Sequence, residues 1–459
     1  MSDYDLALRP AELDRNLCAG RIWLRGDTGY DEHRLGWALA ADLAPAAIAF
    51  PHTVDEVIAV VRAAVAAGLR VAPQSTGHGA GALADQDLSR TVIVRLCEFT
   101  GVTIDAEAGT ARVVGGTLWQ DVIAAAEPLG FTALHGSAGD VAVAGFTLSG
   151  GLSFYGREYG LSANRVRAVE LVTAAGELVR ASATENAGLF WAMRGAGGNF
   201  GVVTAIELDL LPFSDVYAGM LLWDRSHLRE VARTWRDWAA TAPEQVATSL
   251  RVLSLPPLPE LPPFLAGRDL VVIDGAVHTS DAEAEQILAP LRALEPEMDT
   301  FSRIPTTALT AVHMDPPEPT GSVSDHRVLT GLPEDALETL LALVGPGSQS
   351  GLFFAELRQL GGALSRRPED GGAIASITGD FALFAIAMTP FPEAIAPGLL
   401  AARRLCAALE PWAAPLQLPT FSENRTDGAQ LFGGARERLA YETVRVDPQG
   451  VFQANHPIH

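Results

Sequence analysis

The sequence predicts an α+β protein with two domains. Up to residue 212, segments with the spacing of helices alternate with strand-like segments and with dense glycine clusters. From 213 to about 417 the glycine clusters become sparse, and helices rich in Ala, Leu and Trp alternate with strands. The last segment, 418–459, returns to loops and one helix. The 459 residues suit two large domains, and 48% apolar residues suffice for packed cores.

The elements of the first part follow from capping and periodicity. Thr53 and Glu56 form a capping-box pattern, and apolar residues in 54–69 then recur at helical spacing. Apolar and alternating runs predict strands at 70–73, 91–96, 111–114 and 201–211, a hairpin at 166–173 and 177–180, and helices at 118–126 and 185–193. In the last segment, residues 429–441 predict a helix.

The charged residues exclude several classes of function. Acidic residues outnumber basic ones by 55 to 33, and the net charge of −22 argues against nucleic-acid or anionic-membrane partners. All 33 basic residues are arginine, so the chain has no lysine. It therefore lacks the lysine of a P-loop and the Schiff-base lysine of pyridoxal enzymes.

The cysteines and histidines predict neither a disulfide framework nor a metal site. Cys18, Cys97 and Cys406 lie far apart, and the pair His313 and Asp315 is too weak a pattern for a metal. No signal peptide opens the sequence, and no apolar run approaches the ~18 residues that span a bilayer. We therefore expect a cytoplasmic protein without a membrane partner. The sequence does not indicate its oligomeric state.

Two glycine-rich stretches are the strongest functional signal. The first, 77–82, matches the GxGxx[GA] pattern, but the polar residues after it do not form the helix of a dinucleotide-binding unit. We interpret it as a loop whose successive backbone N–H groups hold a pyrophosphate. The second, 136–160, is followed by GAGGNFGVVT, and such small residues let a flat ligand approach the backbone. Together they favour a large phosphate-bearing cofactor, with His78 open to it between two glycines.

These motifs, in this order, resemble a known family of flavoproteins. QSTGHGAG, GSAGDVAVAGFTLSGGLSFYGREYGL and ENAGLFWAMRGAGGNFGVVT are similar to the berberine-bridge-enzyme-like branch of the vanillyl-alcohol-oxidase flavoproteins. FSENRTD and VDPQGVFQANHPI are similar to that family's closing segments. The resemblance implies FAD as the cofactor, in a binding domain of the p-cresol-methylhydroxylase (PCMH) type. This FAD domain would comprise 1–212 and 418–459, around a mixed-sheet substrate domain at 213–417.

The resemblance also implies which residues contact FAD. His78 matches the histidine that bonds covalently to the flavin 8α-methyl group. The other matches are the pyrophosphate loop Ser75, Thr76, Gly77 and Gly79, the second loop Gly136, Val141, Gly145, Gly150 and Gly151, the adenine contact Val203, and the terminal asparagines Asn424 and Asn455. A carboxamide suits the last role because it both donates and accepts at the pyrimidine edge of the flavin.

One departure from the family pattern concerns the attachment of the cofactor. Many relatives have a second covalent anchor, a cysteine, at the position of Ala138. Since alanine has no sulfur, the resemblance implies a single covalent link, through His78.

A second departure concerns the proton acceptor. The family's tyrosine, which often serves as base, is replaced here by Ser422, and a neutral serine cannot take that role. The alternative bases are Glu423, Tyr155 in the second glycine-rich stretch, and Glu356, which shares one face of a predicted strand with Arg358. A substrate that needs no such base is a further alternative.

The reaction that the resemblance implies is oxidation of a small organic substrate, an alcohol or an amine. A hydride passes to the flavin, and dioxygen then reoxidises it to give hydrogen peroxide. Val141 resembles the residue found in the oxidases, and Ala142 and Ala144 leave room for dioxygen. Two alternatives stay open: an FAD-dependent dehydrogenase with another electron acceptor, and a flavin-binding protein without redox turnover.

Overall fold

A computed structural model of the chain describes residues 13–257, 259, 265–316 and 318–458 and has a two-domain α+β fold. The start of the chain, on which the expectation about a signal peptide rests, lies outside the described residues. In the part of the chain that is described, no helix is both long enough and apolar enough to cross a membrane.

The strands of the described residues form three sheets. In chain order the strands are β1 Ile22–Leu24, β2 Ala47–Ala49, β3 Arg70–Gln74, β4 Thr91–Arg95, β5 Val102–Asp105, β6 Thr110–Val114, β7 Val166–Val172, β8 Leu178–Ser182, β9 Val202–Asp209, β10 Asp215–Asp224, β11 Val246–Ser254, β12 Asp269–Val277, β13 Met298–Asp299, β14 Ser302–Pro305, β15 Ser322–Leu329, β16 Phe354–Gln359 and β17 Phe381–Met388. The α-helices are α1 Tyr30–His33, α2 Val54–Ala66, α3 Gly81–Ala84, α4 Trp119–Ala126, α5 Val143–Leu148, α6 Gly156–Tyr159, α7 Ala187–Ala196, α8 Leu228–Ala239, α9 Asp281–Arg292, α10 Glu334–Val344, α11 Ile395–Ala408, α12 Gly428–Phe432 and α13 Arg436–Val446.

The first part of the chain builds two sheets. The first is a four-stranded sheet with the order β1-β2-β4-β3, in which β2, β4 and β3 run parallel. The second is a five-stranded antiparallel sheet with the order β5-β6-β9-β7-β8. Helix α2 packs on the first sheet through a buried stripe that includes Val57, Val60 and Val61. Thr53 Oγ1 accepts a hydrogen bond from the Glu56 N–H at 3.2 Å, which confirms the predicted helix start. The predicted hairpin is also confirmed, as β7 and β8.

The second part of the chain builds an eight-stranded antiparallel sheet. Its order is β13-β10-β12-β11-β16-β17-β15, with β14 beside β10. Helices α8 to α11 form one apolar core with the side chains on one face of this sheet, among them Ala355 and Leu357 of β16. Because side chains alternate along a strand, Phe354, Glu356 and Arg358 lie on the opposite face. That face contributes to a cavity shared with the first domain.

The C-terminal segment returns to the first domain. Val71 of β3 donates to the Val451 carbonyl and accepts from the Gln453 N–H, both at 2.8 Å, so the segment lies along the edge of the four-stranded sheet. The single helix predicted over 429–441 is wrong. Helix α12 ends at Gly433, whose φ is +47°, and α13 begins at Arg436. Glycine adopts this left-handed backbone at little cost and so interrupts the helix.

Candidate functional site

A cavity of about 390 Å³ lies where the two domains and the C-terminal segment meet. It is lined by both glycine-rich stretches, by residues of 195–203, by strands β15 to β17, and by 419–423 and 454–456. Of the site residues predicted from sequence, those that line it are Ser75, Thr76, Gly77, His78, Gly79, Gly136, Val141, Gly145, Val203, Glu423 and Asn455. The predicted residues that do not line it are Gly150, Gly151, Tyr155, Glu356 and Asn424.

The first glycine loop carries unpaired backbone donors beside the cavity. No acceptor among the described residues pairs with the N–H groups of residues 76–79. Gly77 has a φ of +89°, and a Cβ there would lie 3.2 Å from the Gly36 Cα, so the turn requires glycine. Since backbone N–H groups in folded proteins are nearly always paired, this loop suits an external acceptor such as a phosphate.

His78 lies between Trp37 and Asp140. Its ring stacks on Trp37 with centroids 4.1 Å apart, and its Nε2 lies 3.6 Å from Asp140 Oδ2. Both of these atoms are buried and have no hydrogen-bond partner among the described residues. Burial lowers the pKa of His78, although the Asp140 carboxylate acts in the opposite direction. The imidazole is therefore neutral at pH 7, with a nitrogen available to a ligand.

The second glycine-rich stretch forms one wall of the cavity. Gly136, Val141 and Gly145 line it, and a Cβ on Gly145 would meet no atom within 4 Å, so this side is open. Gly150 and Gly151 have φ values of +107° and +72°. A Cβ at position 151 would lie 2.6 Å from the nearest side-chain atom. These two glycines shape the turn after α5 and do not reach the cavity.

The two predicted asparagines occupy different positions. Asn455 lines the cavity, and its Nδ2 donates to the Gly79 carbonyl at 2.8 Å, which ties the C-terminal segment to the first glycine loop. Asn424 lies outside the cavity because its Nδ2 donates to the Ser324 carbonyl of β15 at 2.5 Å. The Asn424 carboxamide therefore holds the second domain against the C-terminal segment.

Glu423 is the predicted proton acceptor that lines the cavity. It faces β15, where Ser324 Oγ donates to Glu423 Oε2 at 2.5 Å. Burial raises the pKa of Glu423 to about 7, and the Ser324 hydrogen bond opposes this rise. A carboxylate with this pKa exchanges a proton readily at neutral pH, as a general base must. The adjacent Ser422 is occupied by a hydrogen bond to the Leu418 carbonyl at 3.0 Å.

The other two candidate bases lie behind the cavity wall. Tyr155 packs in an apolar cluster beside Phe154, and burial raises the pKa of its hydroxyl. Glu356 is 1% exposed, and its Oε1 accepts from Arg358 Nε at 2.7 Å. Burial acts to raise the pKa of Glu356, but the charges of Arg358 and His313 outweigh it and hold this pKa well below its usual range. A buried phenol and a paired carboxylate are both poor proton acceptors.

An aromatic wall that no sequence pattern indicates lies on the second-domain side of the cavity. It consists of Phe353, Phe354, Phe384 and Phe421, with successive ring centroids 5.8, 6.3 and 5.1 Å apart. Phe384 comes from β17 and Phe421 from the C-terminal segment. Alternation in FFAELR and FALFAI indicates strands, but the pattern does not tell which face lines a cavity.

These features fit the FAD that the sequence resemblance implies. The unpaired N–H groups of 76–79 suit its pyrophosphate, and the open glycine and alanine wall suits a flat ring system. His78 lines the same cavity.

Comparison with known sequences supports this fit. The family described as "FAD binding domain" matches residues 45–182. (R)-6-hydroxynicotine oxidase from Paenarthrobacter nicotinovorans is 33% identical over 205 residues, which are 44% of this chain and 44% of that protein. Xylooligosaccharide oxidase from Thermothelomyces thermophilus is 33% identical over 216 residues, 46% of this chain and 43% of that protein. The matches thus span less than half the length of these curated relatives.

Solved structures share the fold over almost the whole chain. BBE-like 1 from Physcomitrella patens superposes with a TM-score of 0.82 at 20% identity and covers 96% of both chains. 6-Hydroxy-D-nicotine oxidase from Arthrobacter nicotinovorans superposes with a TM-score of 0.80 at 23% identity and covers 95% of this chain and 96% of its own. Residues 45–182 thus match the FAD binding domain family, and the chain as a whole shares the fold of these solved structures.

Proposed function

We propose that the chain is an FAD-dependent oxidase that acts on a small organic alcohol or amine. The observation that carries the proposal is the cavity between the glycine loops and the aromatic wall, with Glu423 among its lining residues. Oxidation of an alcohol or amine requires both a hydride acceptor and a base for the hydroxyl or amine proton. The cavity has room for a hydride acceptor, and Glu423 supplies the base.

The chain's own residues would hold the substrate and take its proton. When bound, FAD supplies a two-electron acceptor for the substrate's hydride and is reoxidised by dioxygen with release of hydrogen peroxide. The aromatic wall would orient an apolar substrate and exclude water from the reacting carbon. The Glu423 carboxylate would accept the proton, and Ser324, which donates to its Oε2, would hold it in place.

We further propose a single covalent link between FAD and His78. The place of His78 on the cavity wall, its neutral imidazole and its stacking on Trp37 support this assignment, while its Nε2 is buried beside Asp140. Asp140, whose Oδ2 lies 3.6 Å from that nitrogen, would orient the ring. Ala138 lines the same cavity and offers no second nucleophile.

Anaerobic flavin reduction tests the proposed reaction. Purified protein is mixed with a panel of alcohols and amines, and the visible flavin absorbance is followed before and after air is admitted. We expect at least one compound to bleach the flavin, and air to restore the colour with formation of hydrogen peroxide. Bleaching followed by slow reoxidation without peroxide would identify a dehydrogenase. A flavin that no compound in the panel bleaches would contradict redox turnover.

A further inference from the structure

A chain of buried charges runs through the second domain and ends at the cavity. Arg251 Nη1 lies 3.2 Å from Asp274 Oδ2, which is 3.0 Å from His313 Nδ1. His313 Nε2 lies 3.5 Å from Glu356 Oε2, and Arg358 Nε donates to Glu356 Oε1 at 2.7 Å. Removal of so many charges from water is costly unless each is paired, so every member holds its neighbours in place. We call these five residues the buried charge chain.

The end of the buried charge chain at Arg358 is open to the cavity. The Arg358 side chain is 14% exposed, against 1% for its partner Glu356. Its Nε donates to Glu356 and its Nη2 lies 3.2 Å from His313 Nε2, whereas its Nη1 has no hydrogen-bond partner among the described residues. No other arginine among the described residues lines the cavity, and the sequence contains no lysine. Arg358 is therefore the permanent cation that a bound substrate meets.

The charges within this chain do not cancel. Arg251 and Arg358 are balanced by Asp274 and Glu356, which leaves His313. Burial and the charge of Arg251 lower the pKa of His313, but nearby carboxylates, those of Asp274 and Glu356 among them, outweigh both and raise it to about 9. At neutral pH the five residues together carry one positive charge, and the Asp315 carboxylate, outside the buried charge chain, acts on both His313 and Arg358.

Arg358 forms no direct ion pair with the other carboxylates at the cavity among the described residues. Asp315 lines the cavity, but its Oδ2 accepts from Ser137 Oγ at 3.0 Å, and no ion pair within 4.0 Å joins it to Arg358 among the described residues. Glu423 is bonded to Ser324 instead. The unpaired donors of Arg358 are therefore left for a ligand.

The aromatic wall lies beside this guanidinium. The Cζ of Arg358 is 5.3 Å from the centroid of Phe421, and Phe384 is the next ring of the wall. A flat apolar group against these rings would place an attached acid group near Arg358. Arginine forks pair with carboxylates through two parallel hydrogen bonds and favour them over neutral groups.

We propose that the substrate is an acid: a carboxylate on a flat, apolar body, with Arg358 as the residue that binds the carboxylate. The inference rests on the proposed function and specifies its substrate class. The buried charge chain holds the guanidinium in position, and Glu423 remains free to act on the hydroxyl or amine of the same molecule.

Calorimetric titration of the holoenzyme with benzoate and with benzamide tests this assignment, because the two probes share a shape and differ in charge. We expect wild type to bind benzoate at least about 10-fold more tightly than benzamide. Arg358→Gln should weaken benzoate binding by about 10- to 100-fold and leave benzamide unchanged. Arg358→Lys should retain part of the preference. The control Arg366→Gln removes an arginine that is paired with Glu244 at the surface and should behave as wild type.

Structural damage would lower the affinities for both benzoate and benzamide, whereas loss of an anion site would lower only the affinity for benzoate. If Arg358→Gln alone fails to fold because Glu356 is left unpaired, the double variant Glu356→Gln/Arg358→Gln removes both charges and is tested instead. Equal binding of benzoate and benzamide to wild type, or a preference that survives in these variants, would overturn the proposal. The flavin content of each preparation is read from its visible absorbance. Absence of flavin contradicts the proposed function, while the titration still tests the role of Arg358.

Discussion

Glu423 combines a place at the cavity with a pKa near the physiological range. Burial raises this pKa to about 7, so the fraction of reactive carboxylate rises with pH through that value. We predict that the rate of flavin reduction by substrate increases from pH 6 to pH 8 and then levels off. Ser324 stabilises the ionised form, so Ser324→Ala should move the midpoint of this profile to higher pH.

Replacement of Glu423 should slow the chemistry without loss of the cofactor. Removal of a general base commonly lowers the rate by about 10²- to 10⁴-fold, and we expect Glu423→Gln to fall in this range with full flavin content. Tyr155→Phe is the matched control because this hydroxyl is buried outside the cavity. Stopped-flow reduction under nitrogen measures both variants. A larger effect for Tyr155→Phe than for Glu423→Gln would refute the assignment of the base.

Val141 is predicted to control the reaction with dioxygen. It lines the cavity together with Ala138, Ala142 and Ala144, and these small side chains leave room for a diatomic molecule. Val141→Leu should slow reoxidation of the reduced flavin and leave its reduction by substrate intact. Mixing of pre-reduced protein with aerated buffer measures this step. If the flavin of the leucine variant is reoxidised as fast as that of wild type, the side chain at this position does not control the access of dioxygen to the reduced flavin.

We expect cofactor binding to depend on the first glycine loop. A Cβ at Gly77 would approach Gly36 within 3.2 Å and would move the N–H groups of the loop. We predict that Gly77→Ala loses most of its flavin. Gly130→Ala is the control: Gly130 also has a positive φ, +83°, but a Cβ there meets nothing within 4 Å. Both variants incur about 1–2 kcal/mol of backbone strain, so a selective loss of flavin in Gly77→Ala reports on the loop itself. Equal flavin in the two proteins would contradict this role.

Elements with local signals could be predicted from the sequence, and elements set by distant contacts could not. Helix α2 is encoded by its cap at Thr53 and by its apolar spacing, both within a few residues. The break at Gly433 was missed because a glycine tolerates either a helix or a left-handed turn, and tertiary packing decides between them.

The same limit applies to the site. The glycine loops and Glu423 were found because they lie in continuous motifs. The buried charge chain joins residues from 251 to 358 that no local pattern connects, and only the register of β11, β12 and β16 brings Arg251, Asp274 and Glu356 together. Glu356 was one of three candidate bases, since a strand pattern does not show that its carboxylate is already paired.

At the scale of the whole molecule, the cavity depends on contacts between three distant parts of the chain. Asn455 joins the C-terminal segment to Gly79, and Ser324 joins the second domain to Glu423. Ala38 of the first domain forms a bridge with Thr320 of the second. A ligand that spans these parts stabilises the folded protein because it binds only when they are assembled.

Whether flavin is attached to His78 is the most direct test of the central claim, because attachment depends on the cofactor, its site and this one residue together. Wild type, His78→Ala and the exposed-histidine control His227→Ala are denatured in acid, and flavin is measured in the protein pellet and in the supernatant. We predict that flavin stays with the pellet in wild type and in His227→Ala, and that any flavin bound to His78→Ala is released. Flavin that remains in the His78→Ala pellet, or that leaves wild type, would contradict the covalent link through this histidine.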